Sequence, residues 1–343
     1  MDALDYTPRW FRFAYEAGYL FLVRSIPWVW RMGYGLLDHP LVYGIIHPIR
    51  RRWNLWVARA FVSWLKALQP AVIVVTHFLP AHVCSSGKAA GWLRSALVVV
   101  VTDLYPHRLW ISQEPEAVVV STPEGERVLR QRGVAHERIH VLGIPVGHAF
   151  GTPMDQQVLR RRFELQPDRL TVLVTSGGTT VGRFEHVVRS LAKLETRLPR
   201  RLQLLVVCGG NDRAKRSLNR VAQTASMSMR IFGFVEYMAE LMAVSDLVIA
   251  KAGGLTVSEA LAEGLPLIFY HVIPGQERLN AQYVSQHGAG IIAQSPLEVA
   301  ASLRELLEHP ERLAAMRDAA NTLRRPNAAE AIVSRVIAPW FHA

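Results

Sequence analysis

Hydrophobic positions change rhythm once along this chain of 343 residues, near Leu68. Before that point apolar residues recur at helical spacing. After it, short β-branched and apolar runs take over at Ala71–Thr76, Ala96–Thr102, Ala117–Ser121 and Ile139–Leu142, with a short helix predicted over Pro123–Arg132. A second series follows at Thr171–Thr175, Leu202–Cys208, Met229–Phe232, Leu247–Ala250 and Leu267–Tyr270, with a further candidate at Gly290–Ala293. Helical patterns separate these strands. Runs that are apolar at every position are covered on both faces, and regular strand–helix alternation puts them in parallel, doubly wound sheets. The predicted fold is therefore α/β, in two unequal halves. Breakers crowd from Gly143-Ile144-Pro145 through Gly151-Thr152-Pro153, which marks a linker and divides the chain into residues 1–148 and 149–326. A last helix, Ala328–Ile337, lies in the tail 327–343 and is expected to pack back on the first domain.

The stretch Leu247–Tyr283, LVIAKAGGLTVSEALAEGLPLIFYHVIPGQERLNAQY, carries the most chemistry. An apolar strand runs into Gly253 and Gly254, and a helix opens at Leu255 with Thr256 and Glu259 in its first turns. Glycines let a backbone approach a ligand closely, while the free amides and positive dipole end of the helix favour an anion such as phosphate. Glu259 can accept hydrogen bonds from ribose hydroxyls. A second strand delivers a polar loop in which Gln276, Glu277 and Asn280 offer donors and acceptors suited to a sugar. Phosphate, ribose and sugar together describe a nucleotide-sugar. Lys251 can neutralise phosphate, or it is a solvated side chain at a strand end.

Other strand ends offer weaker candidates. Ser176, Gly177 and Gly178 follow a strand and are placed to approach a diphosphate, or they form an ordinary tight turn. Gly209-Gly210-Asn211 is similar and less diagnostic. Asp103 and His107 in TDLYPH also follow a buried strand, where ligands of open α/β sheets bind. They can bind an acceptor or deprotonate its hydroxyl; the alternative is that Asp103 caps the turn while His107 packs against Trp110. His77 is a weaker case of the same kind.

Composition narrows the partners. The net charge of +11 fits an anionic partner, whether nucleic acid, an acidic membrane surface or a nucleotide diphosphate. No zinc-finger, RNA-recognition or basic-zipper pattern is present, so nucleic acid is not expected. Cys84 and Cys208 are too few and too far apart for a disulfide framework or a metal site. The most apolar early window, Trp10–Tyr34, contains Arg12, Glu16, Arg24 and Arg31 and falls short of the roughly 20 apolar residues of a span. No signal peptide is readable. Eight of the nine tryptophans nevertheless lie between Trp10 and Trp110, and Arg50-Arg51-Arg52 stands beside Trp53 and Trp56. This is membrane-interface chemistry, or an aromatic helical core with solvated arginines.

Several motifs fall in one order: VTDLYPHRLW at 101–110, GIPVGHAF at 143–150, VTSGG at 174–178, VVCGGN at 206–211, then KAGG, EALAEGLP and PGQERLN. Their order and spacing resemble family 28 glycosyltransferases, and most of all the group of monogalactosyldiacylglycerol synthases and processive diacylglycerol glucosyltransferases. The resemblance covers nearly the whole chain. It implies a two-domain GT-B architecture, two Rossmann-like sheets facing a cleft. The implied reaction moves glucose or galactose from a UDP-sugar to diacylglycerol with inversion; no acidic Asp-x-Asp cluster is evident in the sequence, so neither a metal nor a cofactor is expected. In such proteins the Phe232-Gly233-Phe234-Val235 run resembles the uracil-binding turn; a purely structural aromatic pair is the other reading. The resemblance favours membrane contact for the aromatic, basic helices, with anionic lipids as partners and a cytoplasmic protein held peripherally on the inner face of the membrane. It also places Met1–Asp5 near the end of the family's second strand, so roughly forty residues carrying a strand and a glycine-rich loop ending in histidine are expected upstream. Transfer of N-acetylglucosamine to a lipid-linked muropeptide, epimerisation of a nucleotide-sugar, and a UDP-sugar-binding sensor without transferase activity are the alternatives.

Overall fold

The computed structural model describes residues 1–112, 114–177, 184–194 and 202–341. These residues form two compact units. One comprises Met1–Pro145, Pro274–Gln276 and Asn327–Ala343; the other comprises Val146–Ile273 and Glu277–Pro326.

The first unit opens with a 3-10 turn, Ala3–Tyr6, because the Asp2 carboxylate accepts the Leu4 amide and bends the chain where the resemblance placed the end of a strand. Four helices follow: α1 (Arg9–Ser25), α2 (Pro27–Asp38), α3 (Pro40–Val57) and α4 (Arg59–Leu68). Pro27 and Pro40 sit at the first position of their helices, where a missing amide costs nothing. Then come β1 (Val72–Val75), α5 (Phe78–Ala89), β2 (Ala96–Val100), β3 (Ala117–Val120), α6 (Pro123–Gln131) and β4 (Ile139–Val141). The strands pair in parallel in the order β1-β2-β3-β4. Phe61, Leu65, Cys84, Leu97, Val99 and Trp110 pack on one side of this sheet, and Val98, Val100 and Val119 meet Ile332 and Val336 of the chain's last helical segment on the other.

The second unit contains α7 (Gln156–Arg162), β5 (Leu170–Thr175), α8 (Phe184–Ala192), β6 (Leu202–Val207), α9 (Asp212–Thr224), β7 (Ser228–Phe232), α10 (Met238–Ala243) and β8 (Leu247–Ala250). It continues through α11 (Gly254–Ala262), β9 (Leu267–Tyr270), α12 (Gln276–Gln286), β10 (Gly290–Ala293), α13 (Pro296–Glu308) and α14 (Pro310–Leu323). All six strands are parallel, in the order β10-β9-β8-β5-β6-β7. This is the doubly wound order, in which winding reverses between β5 and β8. Val172, Val174, Leu204, Val206, Leu247 and Ile249 are fully buried in its core, each contributing on the order of 1.5–3 kcal/mol by removal from water.

The predicted final helix is continuous only as α15 (Ala328–Ile332). It widens to a π-helical turn at Val333–Ile337, where the Ser334 hydroxyl bonds back to the Glu330 carbonyl, and tightens to a 3-10 turn at Ala338–Phe341.

Among the described residues, no helix is long and apolar enough to cross a membrane. Helix α3 instead carries an exposed stripe, Leu41, Ile45, Ile49 and Trp53, at four-residue spacing. Trp10, Trp53 and Trp56 extend it as a mutually contacting, half-exposed aromatic cluster.

Candidate functional site

Ligands of open parallel sheets bind beyond the carboxyl ends of strands where the winding reverses. In the second unit that point lies between β5 and β8, and the loops leaving them carry the sequence candidates. After β5, Ser176 is buried and Gly177 adopts φ +66°, a left-handed conformation that favours glycine; its amide bonds the Thr175 hydroxyl. Gly178 lies outside the described residues. After β6, Gly209 also has positive φ, and a side-chain carbon there would sit 3.6 Å from the Gly177 carbonyl. The β7 loop joins through Gly233, which lies close to the Gly209 carbonyl and to the Lys215 ammonium of α9.

After β8, Gly253 is the N-cap of α11, in an extended conformation and without a side-chain cap. A side-chain carbon placed on Gly253 would meet nothing within 4 Å, so packing within the protein does not demand glycine there. Gly254 begins the helix and Thr256 is half-buried in its first turn. Lys251 is only 5% exposed, with its stem beside Gly177, and is not a solvated strand-end side chain. One amide-rich, positively charged helix end thus faces the glycine turns of neighbouring strands.

Glu259, two turns into α11, is half-buried, and among the described residues its carboxylate has no hydrogen-bonding partner. Burial without a donor raises its pKa to about 7. Asn280 is fully buried and donates to the Ala252 carbonyl across 3.0 Å, which ties α12 to the KAGG loop. Glu277 is nearly buried and accepts the Ile273 amide, closing the turn that presents Gln276 at the start of α12. Asn211 is the N-cap of α9, its side-chain oxygen accepting the Ala214 amide, so this oxygen holds a helix end. The FGFV run divides its residues. Phe232 joins Phe163 and Tyr237 in an internal aromatic cluster, whereas Phe234 is 77% exposed and Val235 half-buried beside it.

Asp103 and His107 lie in the first unit. The His107 ring is buried and lies against Tyr34 in a tilted contact, 4.1 Å between centroids; Trp110 meets His77 and Phe78 instead. Its Nδ1 accepts the Leu109 amide, and Nε2 lies 2.9 Å from the Tyr34 carbonyl, which can only accept, so Nε2 carries the proton. Both nitrogens are engaged, and burial lowers the ring's pKa, which favours its neutral form. Beside it Asp38 pairs bidentately with Arg132 at 2.7 and 2.8 Å and accepts the Arg108 amide. Asp103 is half-buried, and its carbonyl accepts the Ser121 hydroxyl. His77 caps α5 and meets the Tyr15 hydroxyl, its pKa lowered to about 4 by burial. Asp38, Tyr34, Arg132 and Lys215 belong to no sequence motif; each is placed by a contact distant along the chain.

Two family models match consecutive parts of this chain: monogalactosyldiacylglycerol (MGDG) synthase over residues 1–146 and the glycosyltransferase family 28 C-terminal domain over residues 171–332. A processive diacylglycerol beta-glucosyltransferase of Bacillus cytotoxicus is 30% identical over 299 residues, covering 86% of this chain and 76% of the relative. The chain belongs to the family 28 glycosyltransferases, in the group of monogalactosyldiacylglycerol synthases and processive diacylglycerol glucosyltransferases. Among solved structures, Acinetobacter baumannii MurG superposes with a TM-score of 0.60 at 18% identity, over 82% of this chain and 77% of that one. A UDP-GlcNAc 2-epimerase from Neisseria meningitidis bound to UDP-GlcNAc gives 0.62 at 15% identity, over 82% and 80%. These two share the fold, the two-domain α/β architecture of the GT-B kind.

Proposed function

We propose that this protein transfers glucose from UDP-glucose to the hydroxyl of diacylglycerol at a membrane surface, with inversion at the anomeric carbon. The observation that carries the donor half is Glu259, a half-buried carboxylate with no partner among the described residues, standing behind an uncapped helix end. A ribose supplies the hydroxyl donors such a carboxylate needs, and the diphosphate lies at Gly253, Gly254 and Thr256, with Lys251 and Gly177 beside it. Charge developing on the leaving diphosphate is met by amides and a dipole already in place. Phe234 and Val235 form the wall for the base; Gln276 and Glu277 face the sugar, and Asn280 anchors their helix. The names of the Bacillus relatives supply glucose and diacylglycerol, and a β-glucoside made from an α-linked donor requires inversion.

In the acceptor half, the exposed Trp10, Trp53 and Trp56 cluster, with the α3 stripe and neighbouring arginines, has the composition of a surface that lies in the headgroup region of an anionic bilayer. The first unit is then the acceptor and membrane-facing domain and the second the donor domain. Asp103 is assigned as the base for the acceptor hydroxyl. His107, with both nitrogens engaged, holds the Tyr34 end of α2 against the TDLYPH loop.

The test is product formation from radiolabelled UDP-glucose and UDP-galactose on liposomes containing diacylglycerol. A labelled β-glucolipid formed from UDP-glucose supports the reading. A galactolipid would change the donor, and UDP binding without transfer would leave a sensor in its place.

A further inference from the structure

The first unit contains a cavity, lined by several cationic side chains, that this reaction does not use. It measures about 290 Å³, near the roughly 300 Å³ lower end of ligand pockets, and lies between α3, α5 and the segment after the 3-10 turn Arg108–Trp110. Arg51, Arg108 and Arg132 line it, against one lining carboxylate, Glu114, which accepts the Ser112 hydroxyl. The Asp38 carboxylate nearby is already paired with the Arg132 guanidinium and accepts the Arg108 backbone amide, while the Arg108 Nε donates to the Asp38 carbonyl. Arg50 adds a further cation by bonding the ring of His82. Burial first, then Arg50, pushes His82 down to about 2, and burial, then Arg50 and Arg51, lowers His47. Ser85 is only 4% exposed and lines the cavity, and its hydroxyl has no hydrogen-bond partner among the described residues. A buried hydroxyl without a partner costs free energy unless something else bonds it.

We propose that this cavity binds a phosphate group, with the Arg51 and Arg108 guanidiniums and the Ser85 hydroxyl as donors. A tetrahedral oxyanion offers acceptors to all three and answers the unbalanced charge. Arg51 can turn toward it, since its bond to the Ser86 carbonyl is long at 3.4 Å. The source is a soluble phosphate or phosphate ester. At 100° per residue, His47 and Arg51 project from the side of α3 opposite Leu41, Ile45 and Ile49, so a headgroup held in a bilayer under that stripe lies on the wrong side of the helix. Occupancy bridges α3 to α5 and braces the helix that carries the stripe.

The experiment is calorimetric titration of the full chain with inorganic phosphate and with glycerol phosphate, at constant ionic strength set with chloride. It is run on wild type, R51Q, S85A and G253V, with thermal melting as the check on folding. G253V separates this site from phosphate bound at the helix end of the second unit. Expected is one saturable site that persists in G253V and is weakened at least roughly tenfold in R51Q and a few-fold in S85A, which removes no charge. No saturable binding in wild type, or binding lost in G253V and untouched by R51Q and S85A, overturns the proposal. A parallel arm measures sedimentation with phosphatidylglycerol vesicles against zwitterionic ones. Vesicle binding that S85A weakens, without any binding of soluble phosphate, overturns the soluble source and gives the cavity to a lipid headgroup.

Discussion

The Tyr270 hydroxyl donates to the Thr175 carbonyl across 3.0 Å, joining the end of β9 to the end of β5 over the intervening β8. The tyrosine is 2% exposed, so the bond works in a dry setting and holds the carbonyl just before Ser176-Gly177. Tyr270→Phe is expected to lower stability by about 1 kcal/mol and to weaken UDP binding as the β5 loop loosens. Urea unfolding and calorimetric UDP titration measure both; unchanged UDP affinity would show that the bond serves the core alone.

Glu259 is expected to make stability and donor binding depend on pH in opposite senses. Burial raises its carboxyl from 4.5 to about 7. Between those values the folded chain keeps a proton that the unfolded chain has lost, so stability falls as pH rises through this window and levels off above it. Glu259→Gln removes that contribution. UDP, by contrast, is expected to bind more tightly at pH 8 than at pH 6 if Glu259 holds the ribose, because the ionised carboxylate accepts from both hydroxyls. The substitution is expected to weaken UDP about tenfold, as loss of a charged hydrogen bond does. Identical UDP affinity at the two pH values would remove Glu259 from the ribose site.

Gly253 distinguishes a ligand requirement from a folding requirement. Its backbone angles suit any residue and the space beside it is open. Gly253→Val is therefore expected to melt within a few degrees of wild type, as surface changes within about 0.5 kcal/mol do, while UDP binding falls at least roughly tenfold. A destabilised variant with normal UDP affinity would reverse this assignment.

The pairing of Asp38 with Arg132 sets acid sensitivity in the first unit. Burial alone would raise the Asp38 carboxyl, but the hydrogen bonds and charge of Arg132, with the Arg108 amide, outweigh it and hold the value below the ordinary one. Its contribution is present above about pH 4 and is lost as pH falls below that. Asp38→Asn should cost about 2 kcal/mol at neutral pH and make the unfolding midpoint less dependent on pH in the acid range. Acid titration followed by tryptophan fluorescence reads this directly.

The aromatic cluster of α1 and α3 is expected to serve membranes and not stability. Trp53→Ser with Trp56→Ser should leave the melting temperature near that of wild type and sharply reduce sedimentation with anionic vesicles. Unfolding of the variant would show instead that these rings are part of the core.

The strands and the helices between them were legible in the sequence, and so was the junction where β8 runs into α11. Leu247–Ala250, Leu267–Tyr270 and Gly290–Ala293 have the bounds read from their apolar runs, because a buried parallel strand must be apolar on both faces and glycine or polar residues end it. Local chemistry also marked Gly253, where a strand meets a helix end. The pairing of strands is not local. That β5 lies between β6 and β8, which brings the turns at Gly177, Gly209 and Gly253 to one place, depends on which strands bond to which, and no single segment encodes that. The same holds for side chains whose surroundings come from elsewhere in the chain. Asn211 could be read as a ligand until Ala214 claimed its oxygen, and His107 as a base until Tyr34 and Leu109 engaged both nitrogens. Residue type and spacing determined which groups can do chemistry; only tertiary packing, by choosing their partners, decided which of them are left to do it.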